Sequence, residues 1–293
     1  METLESNFKL VNRVKDTKFN IDHLHHYNLL LQIGARDFQL CVTDPRKNRC
    51  LLVEDYKIRL QEGQTLQSIL KEIFEGHHIL LAGFWSSVKI SFKNKKFTLV
   101  PSDHFEKSKK NEFLCVNASI DDDEDTDYYK LIRSDAVLIF AYNKAIVEWM
   151  KSIYKKARVH VVHQSASFIE GILHHDDHVP GRNMFVLFDS RVLHILVTDN
   201  DSLIYYNQFV PSDIKALIKD VLLIMKAMKM NQQTSKVMIW GDVNADSKVF
   251  KGLYKYIRHI SLGGKPSFLS FSYVFDEISE HKHFALYSLN LCN

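Results

Sequence analysis

The sequence predicts an α/β protein built from two tandem, related units, each a mixed sheet with helices on its faces. Three observations predict it. The stretch NLLLQIGARDFQLCVTD (28–44) lies without gaps over NMFVLFDSRVLHILVTD (183–199), with Asn28/Asn183, Arg36/Arg191, Val42/Val197, Thr43/Thr198 and Asp44/Asp199 identical. A second gapless match sets VLIFAYNKAIVEWMKSIYKKAR (137–158) over VMIWGDVNADSKVFKGLYKYIR (237–258). Self-similarity of this kind marks a duplicated structural unit. Finally, each half reads strand, strand, strand, helix, strand, helix, strand. Three meandering strands followed by strand–helix alternation argue for a mixed sheet.

Each element follows from its local pattern. In the first half, 28–44 reads as two strands and a short turn, DPRKNRCLLVEDYKI (44–58) as a turn and third strand, and TLQSILKEIF (65–74) as a helix. In the second half DNDSLIYYNQFV (199–210) supplies the third strand, and a helix follows over 214–230, with Ser212 as cap and Asp213 in the first turn. Ile214, Leu217, Ile218, Val221, Leu222, Met225 and Met228 recur at helical spacing on that segment. They read as a broad core face, with a peptide groove as the other reading. In the second match each copy is a buried strand, a turn, an amphipathic helix and the start of a last strand, VHVVH (159–163) in the first half.

The two matches are offset by 155 and 100 positions, so the first half carries about 55 extra residues, placed at roughly 81–130. This insertion holds a hairpin pattern, SSVKISF-KNKK-FTLVP (86–101), then the polar EKSKKNE and the acidic DDDED (121–125). The expected organisation is a first lobe over 19–175 with that inserted subdomain, a loop HHDDHVPGRN (174–183) broken by Pro180-Gly181, and a second lobe over 183–293.

Composition narrows the function classes. The chain of 293 residues is 46% hydrophobic and 25% charged, which suits a globular protein, and a net charge of +3 does not argue for nucleic acid. Lys151, Lys155, Lys156 and Arg158, repeated as Lys251, Lys255 and Arg258, read as solvated helix faces with cations near the C-terminal end of each helix dipole. No apolar run approaches the roughly 20 residues that span a bilayer, and the first residues show no apolar signal core. Cys41, Cys50, Cys115 and Cys292 have no CxxC spacing and read as free thiols in a reducing cytosol. Cys41 and Cys50, able to face each other across a hairpin, read as small apolar fillers.

With the repeat, the insertion and segments such as FTLVPSDHF (97–105) in hand, the chain resembles the actin-like ATPase superfamily, whose halves are each ribonuclease-H-like. It is similar in layout to bacterial cell-division and pilus-assembly members, and most of all to a bacterial family of unknown function with that fold. The resemblance implies a nucleotide, ATP with magnesium, between the lobes. It implies an Asp-x-Gly type loop at the turn between the first two strands of each half, and a glycine turn after the fourth strand of the second half for the adenosine.

The matching positions here are Gln32, Gly34 and Arg36 in the first turn, Asp189, Ser190 and Arg191 in the second, and Gly241 and Asp242 at the adenosine turn. Each match is partial. Gln32 stands where the pattern wants aspartate, and an amide cannot serve a magnesium shell as a carboxylate does. Arg191 stands where glycine would let backbone approach phosphate. Asp189 could act on nucleotide, join Asp242 with Asp213 or Asp220 in a nuclease-like set, or stabilise the turn and pair with Arg191. The turn reading is preferred, since the nuclease set lacks a convincing helix acid.

Other constellations read as structure. His23, His25 and His26, and His174, His175, Asp176, Asp177 and His178, offer no i, i+4 helical pair and no HExxH, so no metal site is assigned. The run 121–125 lacks the spacing and glycine of a calcium loop. There is no GxSxG around a serine, and Gly263-Gly264-Lys265 lacks a P-loop frame and reads as a turn. The functional expectation is a cytosolic, degenerate and non-catalytic interaction scaffold that binds a protein partner, without a membrane span or nucleic-acid role. The alternative is an ATP-binding ATPase or kinase-like enzyme using the cleft between the lobes.

Overall fold

The computed structural model describes residues 7–175 and 180–293; Asp176, Asp177 and His178 of the connecting loop lie outside the described residues. The chain divides into two compact units. One comprises the residues up to Ser167 together with Leu269–Glu277 and Ala285–Asn293, and the other Phe168–Phe268 with Ile278–Phe284. The segment expected to close the second lobe is therefore shared, and two of its pieces build the first unit.

In the first unit the strands are β1 (Phe8–Lys15), β2 (Asn28–Gly34), β3 (Asp37–Asp44), β4 (Arg49–Ile58), β5 (Ser87–Lys93), β6 (Phe97–Pro101), β7 (Glu124–Lys130), β8 (Ala136–Asn143) and β9 (Arg158–His163). The helices are α1 (Leu66–Glu75), α2 (Lys110–Cys115), α3 (Lys144–Ile153) and α4 (Gln164–Leu173), the last running on into the second unit. Six strands form one sheet in the order β1-β4-β3-β2-β5-β9. The β2–β3 and β3–β4 pairs are antiparallel, and β2–β5 and β5–β9 are parallel. β1 extends the sheet beyond the five strands read from the sequence, antiparallel to β4.

The second unit repeats the plan. β10 (Arg182–Asp189), β11 (Val192–Asp199), β12 (Ser202–Phe209), α5 (Ile214–Ala227), β13 (Lys236–Gly241), α6 (Lys248–Tyr254) and β14 (His259–Leu262) are followed by α7 (Phe284–Ser288), which continues into the first unit. Its sheet runs β12-β11-β10-β13-β14, matching β4-β3-β2-β5-β9 strand for strand. The correspondence extends to register. Asn28 pairs Thr43, and Asn183 pairs Thr198. The next pairing slips at the same place in both, between Val42 and Thr43 and between Val197 and Thr198. A one-residue change of register would turn every side chain to the opposite face, so the repeat in sequence is a repeat in geometry.

The insertion is where expectation and structure part. Ser87–Lys93 and Phe97–Pro101 do not form a hairpin. β5 is the fourth strand of the repeated unit, lying between β2 and β9 in the main sheet, and β6 pairs with β8 in a separate antiparallel sheet, β6-β8-β7. The added subdomain thus spans β6 to β8 and follows the fourth strand, instead of occupying 81–130 after the first helix. Its core is Val100, Leu114, Val137, Ile139 and Ala141. Of the second repeat match, the helix and last strand correspond, α3 with α6 and β9 with β14, while 137–143 is the centre of the small sheet. The copies also use Tyr154 and Tyr254 differently: Tyr154 is buried and donates its hydroxyl to the Leu80 carbonyl at 2.8 Å, whereas Tyr254 is exposed.

Helix positions follow from caps and apolar stripes. α1 starts at Thr65, whose Oγ1 accepts the Ser68 N–H at 3.1 Å while Ser68 Oγ accepts the Thr65 N–H, a reciprocal capping box. It buries Ile69, Leu70, Ile73 and Phe74, each worth roughly 1.5–3 kcal/mol when removed from water. α5 is capped by Asp213, not by Ser212: Asp213 Oδ1 accepts the Ala216 N–H at 2.8 Å. Leu217, Val221 and Met225 of α5 pack on Met184, Val186, Ile195 and Val197 of the sheet. Among the described residues no helix is long and apolar enough to cross a membrane.

The β5 face pointing away from Val88, Ile90 and Phe92 is polar and nonetheless buried. Lys89 is 3% exposed, and its ammonium donates to the Asn290 carbonyl at 2.7 Å. Asn290 Oδ1 accepts from Thr43 Oγ1 at 2.8 Å, which fixes this part of the C-terminal segment on the sheet of its own unit. Desolvation lowers the Lys89 pKa to about 8. A lysine depressed in the folded state weakens folding while protonated. Between its folded value and the unfolded value near 10.4 the unfolded chain holds the extra proton, so this group makes stability rise with pH. Urea unfolding should show a gain on the order of 2 kcal/mol between about pH 7.5 and about pH 9.5, absent in Lys89→Met. An equal gain in the variant would refute the assignment to Lys89.

Candidate functional site

In the first unit, Gln32 and Gly34 lie at the end of β2 and Arg36 in the turn that leads to β3. Gln32 points into the buried polar face of the sheet beside Ser91 of β5, its parallel partner, and is 1% exposed. Gly34 has a local explanation. A Cβ there would overlap Asp37 Oδ1 and press on Lys93. Asp37 is held by Lys93 Nζ at 3.0 Å, with both side chains more than nine-tenths buried, and Lys93 also donates to Gln39 Oε1 at 3.2 Å. The space left by the missing side chain is taken by this ion pair. Arg36 is exposed, and its carbonyl accepts the Ile58 N–H at 2.8 Å.

In the second unit the structure brings Asp189, Ser190, Arg191, Gly241 and Asp242 together where β10 and β13 end. Asp189 pairs with Val192, so Ser190 and Arg191 form a two-residue hairpin turn. Both are left-handed, with φ of 49° and 75°. A mirror-type turn suits the twist of a hairpin and normally recruits asparagine or glycine; arginine at such an angle is strained by roughly 1–2 kcal/mol. Gly241 has φ 98°, and a Cβ there would overlap the Phe188 carbonyl. That carbonyl accepts the Asp242 N–H at 2.7 Å, and Asp242 Oδ2 accepts the Ser190 N–H at 3.4 Å. Asp242 therefore ties the hairpin to the end of β13.

Trp240, next in line, is fully buried. Its indole N–H donates to the Gly264 carbonyl at 3.0 Å, and its ring lies tilted against Phe284 with centroids 4.8 Å apart. A Cβ on Gly263 would overlap that ring. Gly263 thus leaves the room that the Trp240 ring fills.

Other candidate groups disperse. Asp213 is spent as the α5 cap, and among the described residues no three His, Cys, Asp or Glu side chains gather to hold a metal ion. His26 Nδ1 lies 2.8 Å from Arg46 Nη2. Cys41 and Cys50 lie buried across the β3–β4 pair with sulfurs 3.6 Å apart, as free thiols. As placed, the residues at the two turns do not fit a phosphate chain with its magnesium. The two glycines are closed by Asp37 and by the Phe188 carbonyl, an amide stands for the first carboxylate, and an arginine for the second glycine. The sequence reading missed Asp37 and Lys93. Their signal was a charge at the end of each of two otherwise buried strands.

The family described as protein of unknown function (DUF3822) matches residues 16–260. The chain belongs to this family. No curated protein matches it. Among solved structures it is similar to a protein of unknown function with an actin-like ATPase fold from Bacteroides thetaiotaomicron, at 17% identity and a TM-score of 0.76, over 94% of this chain and 99% of that one. It is also similar to a chain of the PilM–PilN type IV pilus biogenesis complex, at 10% identity and a TM-score of 0.56, over 90% and 97%. These likenesses, with the duplicated strand order, establish the actin-like ATPase fold for this DUF3822 member.

Two substitutions test the local account. Gly241→Ala should lower stability by about 2–4 kcal/mol, because a Cβ meets fixed backbone at a positive φ. Arg191→Gly should raise it by about 1 kcal/mol through relief of the left-handed strain, net of added chain entropy. Urea denaturation measures both; a neutral Gly241→Ala or a destabilising Arg191→Gly would contradict the geometry.

Proposed function

We propose that this protein is a non-catalytic scaffold of the cytoplasm, an actin-like fold that has exchanged nucleotide handling for binding a protein partner. The observation that carries this reading is the occupation of the Gly34 and Gly241 positions by the chain's own Asp37 carboxylate and Phe188 carbonyl. Glycines that the resemblance would give to a nucleotide instead admit internal contacts, so they hold the hairpins in place. The surrounding carboxylates support the same reading, since Asp37 answers Lys93 and Asp242 answers the Ser190 N–H. The neighbour from the PilM–PilN complex supports a partner by analogy of fold.

The competing reading is an ATP-binding ATPase or kinase-like enzyme drawing on Asp189 and Asp242, which the second hairpin brings near each other. A ligand that binds only the folded state raises its melting temperature. With ATP and magnesium at about 1 mM, no rise is expected; at a Kd a hundredfold lower, linkage would add about 2.7 kcal/mol, a rise of several degrees. Such a rise, with ATP hydrolysis that Asp189→Ala abolishes, would replace the scaffold by the enzyme.

A further inference from the structure

We propose that the groove on the outer side of α5 docks an acidic, amphipathic helix of a partner protein. The proposal rests on the scaffold reading and gives the partner its chemistry. The groove encloses about 810 Å³ between α5, the turn that follows it and Tyr256. Lys215, Lys219, Lys226 and Lys229 stand along it, and among the described residues none of these four ammonium groups has an ion-pair partner. Asp220 is the one acid within α5.

The surface between the cations is apolar. Leu223 is 50% exposed and Tyr256 49%, while Ile218 and Leu222 are half-buried on the same groove. A helix that packs one face on a core normally turns a polar face outward. Solvation accounts for the lysines but not for a leucine and a tyrosine beside them, and the lysine stems extend the apolar area further. From Lys215 to Lys229 the groove runs about 20 Å, the length of roughly four turns of a docked helix. Helix-in-groove recognition needs this combination, an apolar stripe for anchors at i, i+3 and i+4, and flanking charge to set partner and register.

The sign of the rim selects acids, Glu or Asp on both sides of the anchor stripe. Concavity favours a helix over a lipid surface. An interfacial helix buries its apolar face in the lipid, whereas α5 packs its apolar face on the sheet, and Tyr256 and Gln232, from outside α5, line the same groove.

The test uses the full chain and two fluorescein-labelled helical peptides of about 20 residues. They share leucine anchors at helical spacing and carry either glutamates or lysines on the flanks. The acidic peptide should raise its anisotropy with a Kd on the order of 10 µM, several-fold weaker when salt is raised from about 50 to about 300 mM. Affinity should fall at least about tenfold in Lys219→Glu/Lys226→Glu and in Leu223→Asp. Lys219→Ala/Lys226→Ala, which adds no new charge, should change it in the same direction. The lysine peptide should not bind.

Equal affinity for both peptides, no binding at all, or indifference to the variants overturns the proposal. So does retention by phosphatidylserine vesicles that the same variants abolish, which would assign the groove to lipid. Self-association lost in those variants would assign it to a second copy of the chain, again overturning it. Failure here with no ATP hydrolysis removes the groove and leaves the scaffold standing; ATP hydrolysis removes the scaffold itself.

Discussion

The register of the first hairpin is the constraint on which the rest depends. In both units the first two strands pair so that an asparagine at the start of one faces a threonine near the end of the other, and the next strand slips at that threonine. Because side chains alternate along a strand, this choice decides which residues meet the helices and which face away. In the second unit it sends Met184, Val186, Ile195 and Val197 toward α5 and leaves Phe185 on the side of Trp240. It also fixes which residues fall at the hairpin tip, so Ala35-Arg36 and Ser190-Arg191 hold equivalent places while adopting different backbone angles.

That hairpin was legible because the two copies run 17 residues without a gap, and pairing register survives in the identities themselves. The insertion was misread for a physical reason. Residues 137–142 form a continuous apolar run because β8 is flanked by β6 and β7 and buried on both faces. A fully buried parallel strand gives the same run. Residues 87–93 alternate and so look like half of an exposed hairpin. They are instead a central strand whose polar side, Lys89 and Ser91, is covered. A pattern of period two reports which positions are alike; it does not report whether the polar set meets water or another polar segment. Asn290, far along the chain, is what Lys89 meets, and no local pattern announces it.

The candidate site was legible as a place and not as a chemistry. Position followed from the duplication, but a glycine in sequence has two meanings: room for a ligand, or room for the chain itself. Gly34, Gly241 and Gly263 all have the second meaning in this fold, with Asp37, Phe188 and Trp240 as the groups admitted. Two of the three involve a side chain, and each of those residues is unusual in its setting: a carboxylate opening the buried strand β3, and a fully buried tryptophan next to the end of β13. A glycine near such a residue is better read with it than alone.

The two hairpin turns of the duplicated plan are held in different ways. Within one chain the first turn keeps a glycine beside an amide and the second keeps a carboxylate beside an arginine. A single substitution toward an Asp-x-Gly pattern would not by itself clear either turn of its present contacts. Near the end of β2 an aspartate for Gln32 would enter a position that is 1% exposed, where a second carboxylate near Asp37 would need its own cation. At the second, a glycine for Arg191 would relax the backbone, yet Asp242 would still hold the Ser190 N–H that an anion would require. Each turn is held by contacts that suit its present residues, so the hairpins persist as structural corners. The outer helices are under no such constraint, and on α5 the uncompensated lysines and the exposed Leu223 lie where the fold itself makes no demand for them.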